Sequence, residues 1–170
     1  MNPDGWGIAQ WLIIAVAVQR LGELVLARRN TARLLAEGGT EVGRGHYGLI
    51  VTLHTAWLVA LFLVIPPGTV GNLWLIAAFL LLQIARVWVI VSLGRYWTTR
   101  IITVPDAPLV KRGPYRWVQH PNYLIVAAEI ALLPLAFGDW VLALIFSAAN
   151  AILMSIRIPA ENRALAARHS

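Results

Sequence analysis

The residues best equipped for chemistry sit together in one run, Pro108 to Tyr123, which reads PLVKRGPYRWVQHPNY. It sets cations (Lys111, Arg112, Arg116), aromatic rings (Tyr115, Trp117, Tyr123) and the imidazole of His120 between long apolar stretches. A second polar group, Arg157-Ile-Pro-Ala-Glu161-Asn162-Arg163, follows beyond two further apolar segments. Arg157 and Glu161 are four apart and share a helix face. Taken alone they amount to a surface ion pair worth less than about 1 kcal/mol. Glu129 lies between the two groups, inside an apolar segment, where a carboxylate is costly and tends to mark function. Such a set suits holding a polar cofactor against a lipid. It equally suits the basic border of any membrane protein, and on residue types alone both readings stand.

The elements that must position these groups are apolar helices. Of 170 residues, 59% are hydrophobic and 13% charged, with a mean hydropathy of +0.69. Soluble domains run about 45–50% apolar and about 25% charged, so an integral membrane protein is expected. Five apolar segments can be drawn: Ile8 to about Ala27, about His46 to Ile65, Leu73 to Leu93, Pro121 to Phe137 and Trp140 to Ile156. The first three approach the ~20 residues of a spanning helix. The last two are shorter and joined by Gly138-Asp139, predicting a helical hairpin whose first arm bends at Pro134. Gly113-Pro114 marks a turn, and Pro121 suits the first turn of a helix. The expected fold is therefore all-α, a single membrane domain over residues 1–170 with about five transmembrane helices. Residues 1–93 carry three of them, and 94–170 carry the polar loop, the hairpin and a C-terminal helix.

Loop charge predicts orientation. Of the 14 Lys and Arg, all but Arg20 and Arg86 follow the first segment (Arg28, Arg29, Arg33, Arg44), the third (Arg95, Arg100, Lys111, Arg112, Arg116) or the fifth (Arg157, Arg163, Arg168). The other side offers MNPDGWG, PPGTVGN and FGDW, with no basic residue. By the positive-inside rule the N-terminus is outside and the C-terminus cytoplasmic, as in a multi-pass protein of a bacterial inner membrane. The same rule accounts for the net charge of +6 without nucleic acid. Polar residues inside the spans (Gln19, Arg20, Glu23, His54, Gln83, Arg86, Glu129, Asn150) all fall in the cytoplasmic half by residue count. Individually they can be snorkelling arginines or helix–helix hydrogen bonds. Together they favour a polar cavity open to the cytoplasm.

Several classes are excluded by what the chain lacks. MNPDGWG has no signal-peptide pattern. Without Cys there are no disulfides or thiolate sites, and histidines at 46, 54, 120 and 169 lack metal-ligand spacing, so no metal is expected. The glycines of GGTEVGRG follow no strand and end in no Gly-Lys-Ser/Thr, which predicts a flexible loop rather than a phosphate cradle. IITVPDAPLV reads as an interfacial connection.

The loop GPYRWVQHPNY, two apolar segments and then R-x-x-x-E-N-x-x-L resemble the isoprenylcysteine carboxyl methyltransferase family, in particular its small bacterial members. The resemblance covers roughly Leu93 to Leu165. It implies an S-adenosylmethionine pocket built by the loop and the last two helices, with no Rossmann domain. Carried over by position, Ala107 and the Pro108, Leu109, Val110 segment offer backbone groups to the cofactor. Tyr115 and the run His120, Pro121, Asn122, Tyr123 line its pocket, Glu161 contacts it, and Arg157 faces the acceptor. These roles are chemically sensible. Aromatics stack on adenine, a carboxylate accepts from a ribose diol, and tyrosine faces suit a sulfonium. If the acceptor is a hydroxyl, Glu129 or His120 is placed by residue type to take its proton. The implied acceptor is lipid-like and comes from the bilayer, either a prenylcysteine carboxylate or a long-chain phenolic or pyrone lipid. Three positions depart from the family pattern: Gln119 where Arg is usual, Ile125 where Gly is common, and Asn162 where a second Glu is frequent. The last removes a negative charge near the expected sulfonium. The H-P-x-Y core also recurs in membrane reductases of sterols and isoprenoids, for which Lys111 and Arg112 would meet the NADPH 2′-phosphate. A non-catalytic membrane scaffold is the third alternative.

Overall fold

The computed structural model describes residues 5–105 and 107–166. Met1 to Asp4, Asp106, and Ala167 to Ser170 lie outside the described residues, and with them part of the expected outer terminus and Arg168 and His169 of the tail. Among the described residues there are five α-helices: α1 (Ile8–Ala36), α2 (Arg44–Val64), α3 (Leu73–Leu93), α4 (Pro121–Ala136) and α5 (Trp140–Ala166). Two short strands, β1 (Thr40–Val42) and β2 (Ile101–Thr103), pair antiparallel, with Glu41 opposite Ile102. Four helices are long and apolar enough to cross a membrane, and α4 is shorter. At 1.5 Å per residue the 16 residues of α4 give roughly 24 Å, below a hydrocarbon core of ~30 Å, whereas the 29 of α1 reach roughly 43 Å.

The helices are apolar on their outer faces as well as between them. Leu63, Leu81, Ile84, Val91, Leu144 and Ile152 are exposed, the pattern of helices solvated by lipid. Inside, Ala9, Ile13 and Val16 of α1 meet Trp57 and Leu61 of α2, Phe79 of α3, and Ile130 and Leu133 of α4 in one cluster. At this end Gln10 Nε2 donates to the Ile65 carbonyl at 2.7 Å, and Asn72, which caps α3, donates its backbone N–H to Ala136 at 2.7 Å. The hairpin turns as expected at Gly138 (φ +81), and Asp139 Oδ1 accepts from the Leu142 amide at 2.9 Å to cap α5.

At the opposite end the ends of α1, α3 and α5 meet the starts of α2 and α4. Asn30 of α1 donates to the Trp97 carbonyl (2.8 Å), and Arg157 of α5 donates to the Thr99 carbonyl (2.8 Å). The segment expected to be a flexible glycine loop is structured. Gly39 donates to the Leu34 carbonyl, Gly43 takes φ +68 to start α2, and the residues between them pair with β2. Glu41 holds the ribbon by accepting from Arg44 and Arg100, each at 3.0 Å. The connection read as interfacial is the other half of that ribbon, with Ile101 buried against Ala160 and Ala164 of α5.

Candidate functional site

The polar loop is locked to α3. Arg112 Nε donates to the Ser92 carbonyl at 2.7 Å, and Gly113 has φ +55 with no room for a side chain, since a Cβ there would lie 2.1 Å from Ser92 Oγ. A 3-10 turn over Gly113–Arg116 then presents Tyr115, and Pro121 starts α4 one residue after His120. Proline at this position lacks only an N–H that the helix would leave unpaired. The turn therefore fixes His120, Asn122 and Tyr123 relative to α5.

These groups border a cavity of ≈ 710 Å³, within the size range of small-molecule sites. Of the residues expected at a site, Pro108, Leu109, Val110, Tyr115, His120, Asn122, Tyr123, Arg157 and Glu161 all line it. Pro121 is buried in the first turn of α4 and acts on the cavity through its neighbours. The tail residues are joined by the loop tyrosine: Arg157 Nε donates to Tyr123 Oη at 2.8 Å, and Tyr123 Oη donates to Glu161 Oε2. Arg157 and Glu161, readable in the sequence as a surface ion pair, are thus linked through Tyr123, and Arg157 is buried. The His120 ring stacks on Tyr123 with centroids 5.3 Å apart. His120 Nδ1 lies 3.8 Å from Glu161 Oε1, and His120 Nε2 lies 2.7 Å from Asn162 Oδ1. A carboxamide oxygen only accepts, so Nε2 carries the proton. Burial, with the Glu161 carboxylate adding to it, pushes the Tyr115 phenol well above its ordinary range, so this ring stays neutral.

Below this polar end lies a closed set of charges contributed by three helices. Glu23 accepts from Arg86 Nε at 2.7 Å and Nη2 at 2.6 Å, and from Arg20 at 3.0 Å. Glu129 accepts from Arg20 at 2.6 Å, Gln83 at 2.9 Å and Arg86 at 3.4 Å. Arg86 Nη1 also donates to Asn122 Oδ1 at 3.3 Å, tying the cluster to the His-Pro-Asn-Tyr run. Glu129, which residue type alone nominates as a proton acceptor, is 1% exposed, lies outside the cavity lining and is engaged by two guanidinium groups. Both of its oxygens are taken by these donors. Of the in-span polar residues, Arg20, Glu23, His54 and Arg86 reach the cavity, whereas Gln19, Gln83, Glu129 and Asn150 do not.

The far wall comes from residues that sequence reasoning did not single out: Tyr47, Val51, Thr55 and Leu58 on α2, Leu21 and Leu24 on α1, and Trp97 and Thr99 after α3. Their apolar and aromatic character is indistinguishable from lipid-facing sequence, so no signal marked them. The cavity consequently has a polar side built by the loop, α4 and α5, and a mainly apolar side built by α1 and α2, which Arg20, Glu23 and His54 interrupt. Among the described residues no cluster of three or more potential metal ligands occurs.

A membrane protein whose C-terminal hairpin and preceding loop enclose such a cavity matches the isoprenylcysteine carboxyl methyltransferase family model over residues 74–167. The chain belongs to that family. It is 43% identical over 160 residues to the uncharacterized protein YpbQ of Bacillus subtilis, covering 91% of this chain and 95% of that protein. It is 24% identical over 153 residues to an uncharacterized protein of Haemophilus influenzae, covering 86% of this chain and 88% of the other. No solved structure matches significantly.

Proposed function

We propose that the protein is a membrane O-methyltransferase that takes S-adenosylmethionine from the cytoplasm and a lipid-like acceptor from the bilayer. The observation that carries this reading is the convergence, on one ≈ 710 Å³ cavity, of the loop residues and the Arg157–Tyr123–Glu161 bridge with an apolar wall from α1 and α2. The residues fit the cofactor. Tyr115, His120 and Tyr123 offer ring faces, and Glu161 Oε1, with only a distant contact to His120, remains free to accept from a ribose diol. The cofactor supplies an activated methyl group as a sulfonium. The protein's own contribution is to hold the acceptor oxygen in line with that group and to keep water away, the entropic part of catalysis. Arg157, buried and already bonded to Tyr123 and Thr99, positions the boundary between cofactor and acceptor.

The distribution of basic residues supports a loop end in the cytoplasm, where a soluble cofactor would meet the cavity's polar side, and an N-terminus outside. In the reductase alternative, Lys111 and Arg112 would meet the NADPH 2′-phosphate; Lys111 lines the cavity, and Arg112 is anchored by its Nε to the Ser92 carbonyl. Calorimetry on purified protein in detergent tests the reading directly. Micromolar binding of S-adenosylmethionine, abolished by Glu161→Ala, is expected. Binding of NADPH instead would move the protein to the reductases, and binding of neither would leave the scaffold alternative.

A further inference from the structure

His54 belongs to no part of the cofactor site, yet it lines the same cavity from α2, beside Val51, Thr55 and Leu58 and across from Leu21 and Leu24 of α1. Its ring orientation is determined by one contact: Nδ1 lies 2.8 Å from the Ile50 carbonyl oxygen, one turn back on the same helix. A carbonyl can only accept, so Nδ1 carries the proton and, in a neutral ring, Nε2 holds a lone pair. Among the described residues Nε2 has no hydrogen-bond partner. The charged groups around it offer no competing partner. Arg20 and Glu23 on α1, Arg86 on α3 and Glu129 on α4 are bonded to one another, and neither carboxylate contacts the imidazole. Glu129 is held by two guanidiniums and lies outside the cavity lining. His120 belongs to the polar side of the cavity: its Nε2 proton is directed at Asn162, its ring stacks on Tyr123, and its Nδ1 lies 3.8 Å from Glu161 Oε1.

We infer that His54 is the general base for a hydroxyl acceptor, and that the acceptor class is therefore a long-chain phenol or enol rather than a carboxylate. This inference rests on the methyltransferase reading. A carboxylate arrives ionised and has nothing to give an unprotonated Nε2, whereas a phenol donates a hydrogen bond to it. As the acceptor O–H bond breaks, its proton passes to His54 Nε2. The oxygen forms a bond to the methyl carbon, the methyl carbon–sulfur bond breaks, and its electron pair leaves with sulfur. One proton per turnover is then released from the imidazolium to water at the cytoplasmic mouth. The apolar wall of α1 and α2 lies beside His54 to take the acceptor's chain.

The test uses the full chain in detergent, as wild type, His54→Gln and His54→Ala, with three probes: a long-chain alkylphenol, its nitro-substituted analogue that is already ionised at neutral pH, and an S-farnesyl thioether carboxylic acid. S-adenosylmethionine binding is measured first and is expected within about twofold of wild type in both variants, which also shows that they fold. Binding of the alkylphenol without cofactor is expected to weaken about threefold to tenfold, as for one lost hydrogen bond. Methyl transfer to the alkylphenol should fall about 10²–10⁴-fold, the range of general base catalysis, while transfer to the ionised analogue stays within a few-fold. Parallel loss on both phenols would make His54 structural and overturn the inference, as would an unchanged alkylphenol rate or a wild type that methylates only the carboxylate. A wild type that binds no S-adenosylmethionine would instead remove the methyltransferase reading itself.

Discussion

Arg86 is the residue whose removal the architecture tolerates least. Its guanidinium meets Glu23 at 2.7 and 2.6 Å, Glu129 at 3.4 Å and Asn122 at 3.3 Å. Arg20, Glu23, Arg86 and Glu129 together carry two positive and two negative charges, so the cluster is neutral as built. Arg86→Met leaves a net negative charge among side chains exposed by only 2–13%. Breaking a buried pair by removing one partner costs about 3–5 kcal/mol. Glu23 and Glu129 both keep Arg20, so the lower end, about 3 kcal/mol, is expected. Glu23→Gln alone leaves the opposite imbalance at comparable cost. The double variant restores neutrality, leaving Arg20 with Glu129, and should recover at least about 2 kcal/mol relative to the sum of the single variants. Reversible unfolding in mixed detergent micelles, followed by tryptophan fluorescence, measures all three. Coupling below about 0.5 kcal/mol, the usual limit of additivity for independent sites, would refute the view that these residues act as one charge-balanced unit.

Two further outcomes follow from the loop. Gly113→Ala combines a left-handed backbone (φ +55) with a Cβ placed 2.1 Å from Ser92 Oγ. Strain of about 1–3 kcal/mol should displace the Tyr115 turn and weaken S-adenosylmethionine at least tenfold by calorimetry while the helices remain folded by circular dichroism; unchanged affinity would show that the turn does not build the pocket. Tyr115 is held protonated by burial and by Glu161, so the folded state binds its proton more tightly than the unfolded chain does. Its contribution to stability is complete below the unfolded value of about 10 and is lost as pH rises towards the higher folded one. Stability measured between pH 9 and pH 11 (roughly bracketing that value) should fall, and less steeply in Tyr115→Phe; identical slopes would contradict this placement.

The helices were legible because hydropathy and loop charge each follow from a single strong constraint, the cost of polar groups in lipid. The loop residues were legible because polar and aromatic side chains stand out against apolar flanks. Contacts between helices were not legible. Arg20 with Glu23, and Gln83 with Arg86, can be paired from their i,i+3 spacing, but nothing local says that Glu129 on α4 closes the set or that Arg86 reaches across to Glu23. Glu129 was nominated for proton transfer by residue type, which is blind to how its oxygens are engaged. The β1–β2 ribbon was missed for a related reason. Three-residue strands in TEV and IIT carry too little alternation to register, and their pairing joins segments far apart in the chain. His54 is visible in the sequence only as one polar residue in an apolar helix, and its contact with the Ile50 carbonyl is what determines which nitrogen carries the proton.

The departures from the family pattern acquire a common explanation in space. Gln119 replaces a usual Arg and Asn162 a frequent Glu, and the two side chains touch: Gln119 Nε2 donates to Asn162 Oδ1 at 3.1 Å. A charge of each sign is absent from one contact, so the local sum is unchanged and the missing carboxylate does not by itself make the site less welcoming to a cation. Asn162 Oδ1 also receives His120 Nε2 at 2.7 Å. Ile125, in place of a common Gly, is buried in a cluster with Ala27, Val89 and Trp97 and fills the junction of α1, α3 and α4. It thus packs at the foot of the site, where a glycine would leave space between helices. These three positions adjust packing and charge around the polar side of the cavity, and the apolar side, where the proposed acceptor would lie, is shaped by α1 and α2, in a part of the chain that the family pattern does not reach. Selectivity for the acceptor should therefore follow substitutions in Leu21, Leu24, Val51, His54 and Leu58 far more than substitutions in the loop.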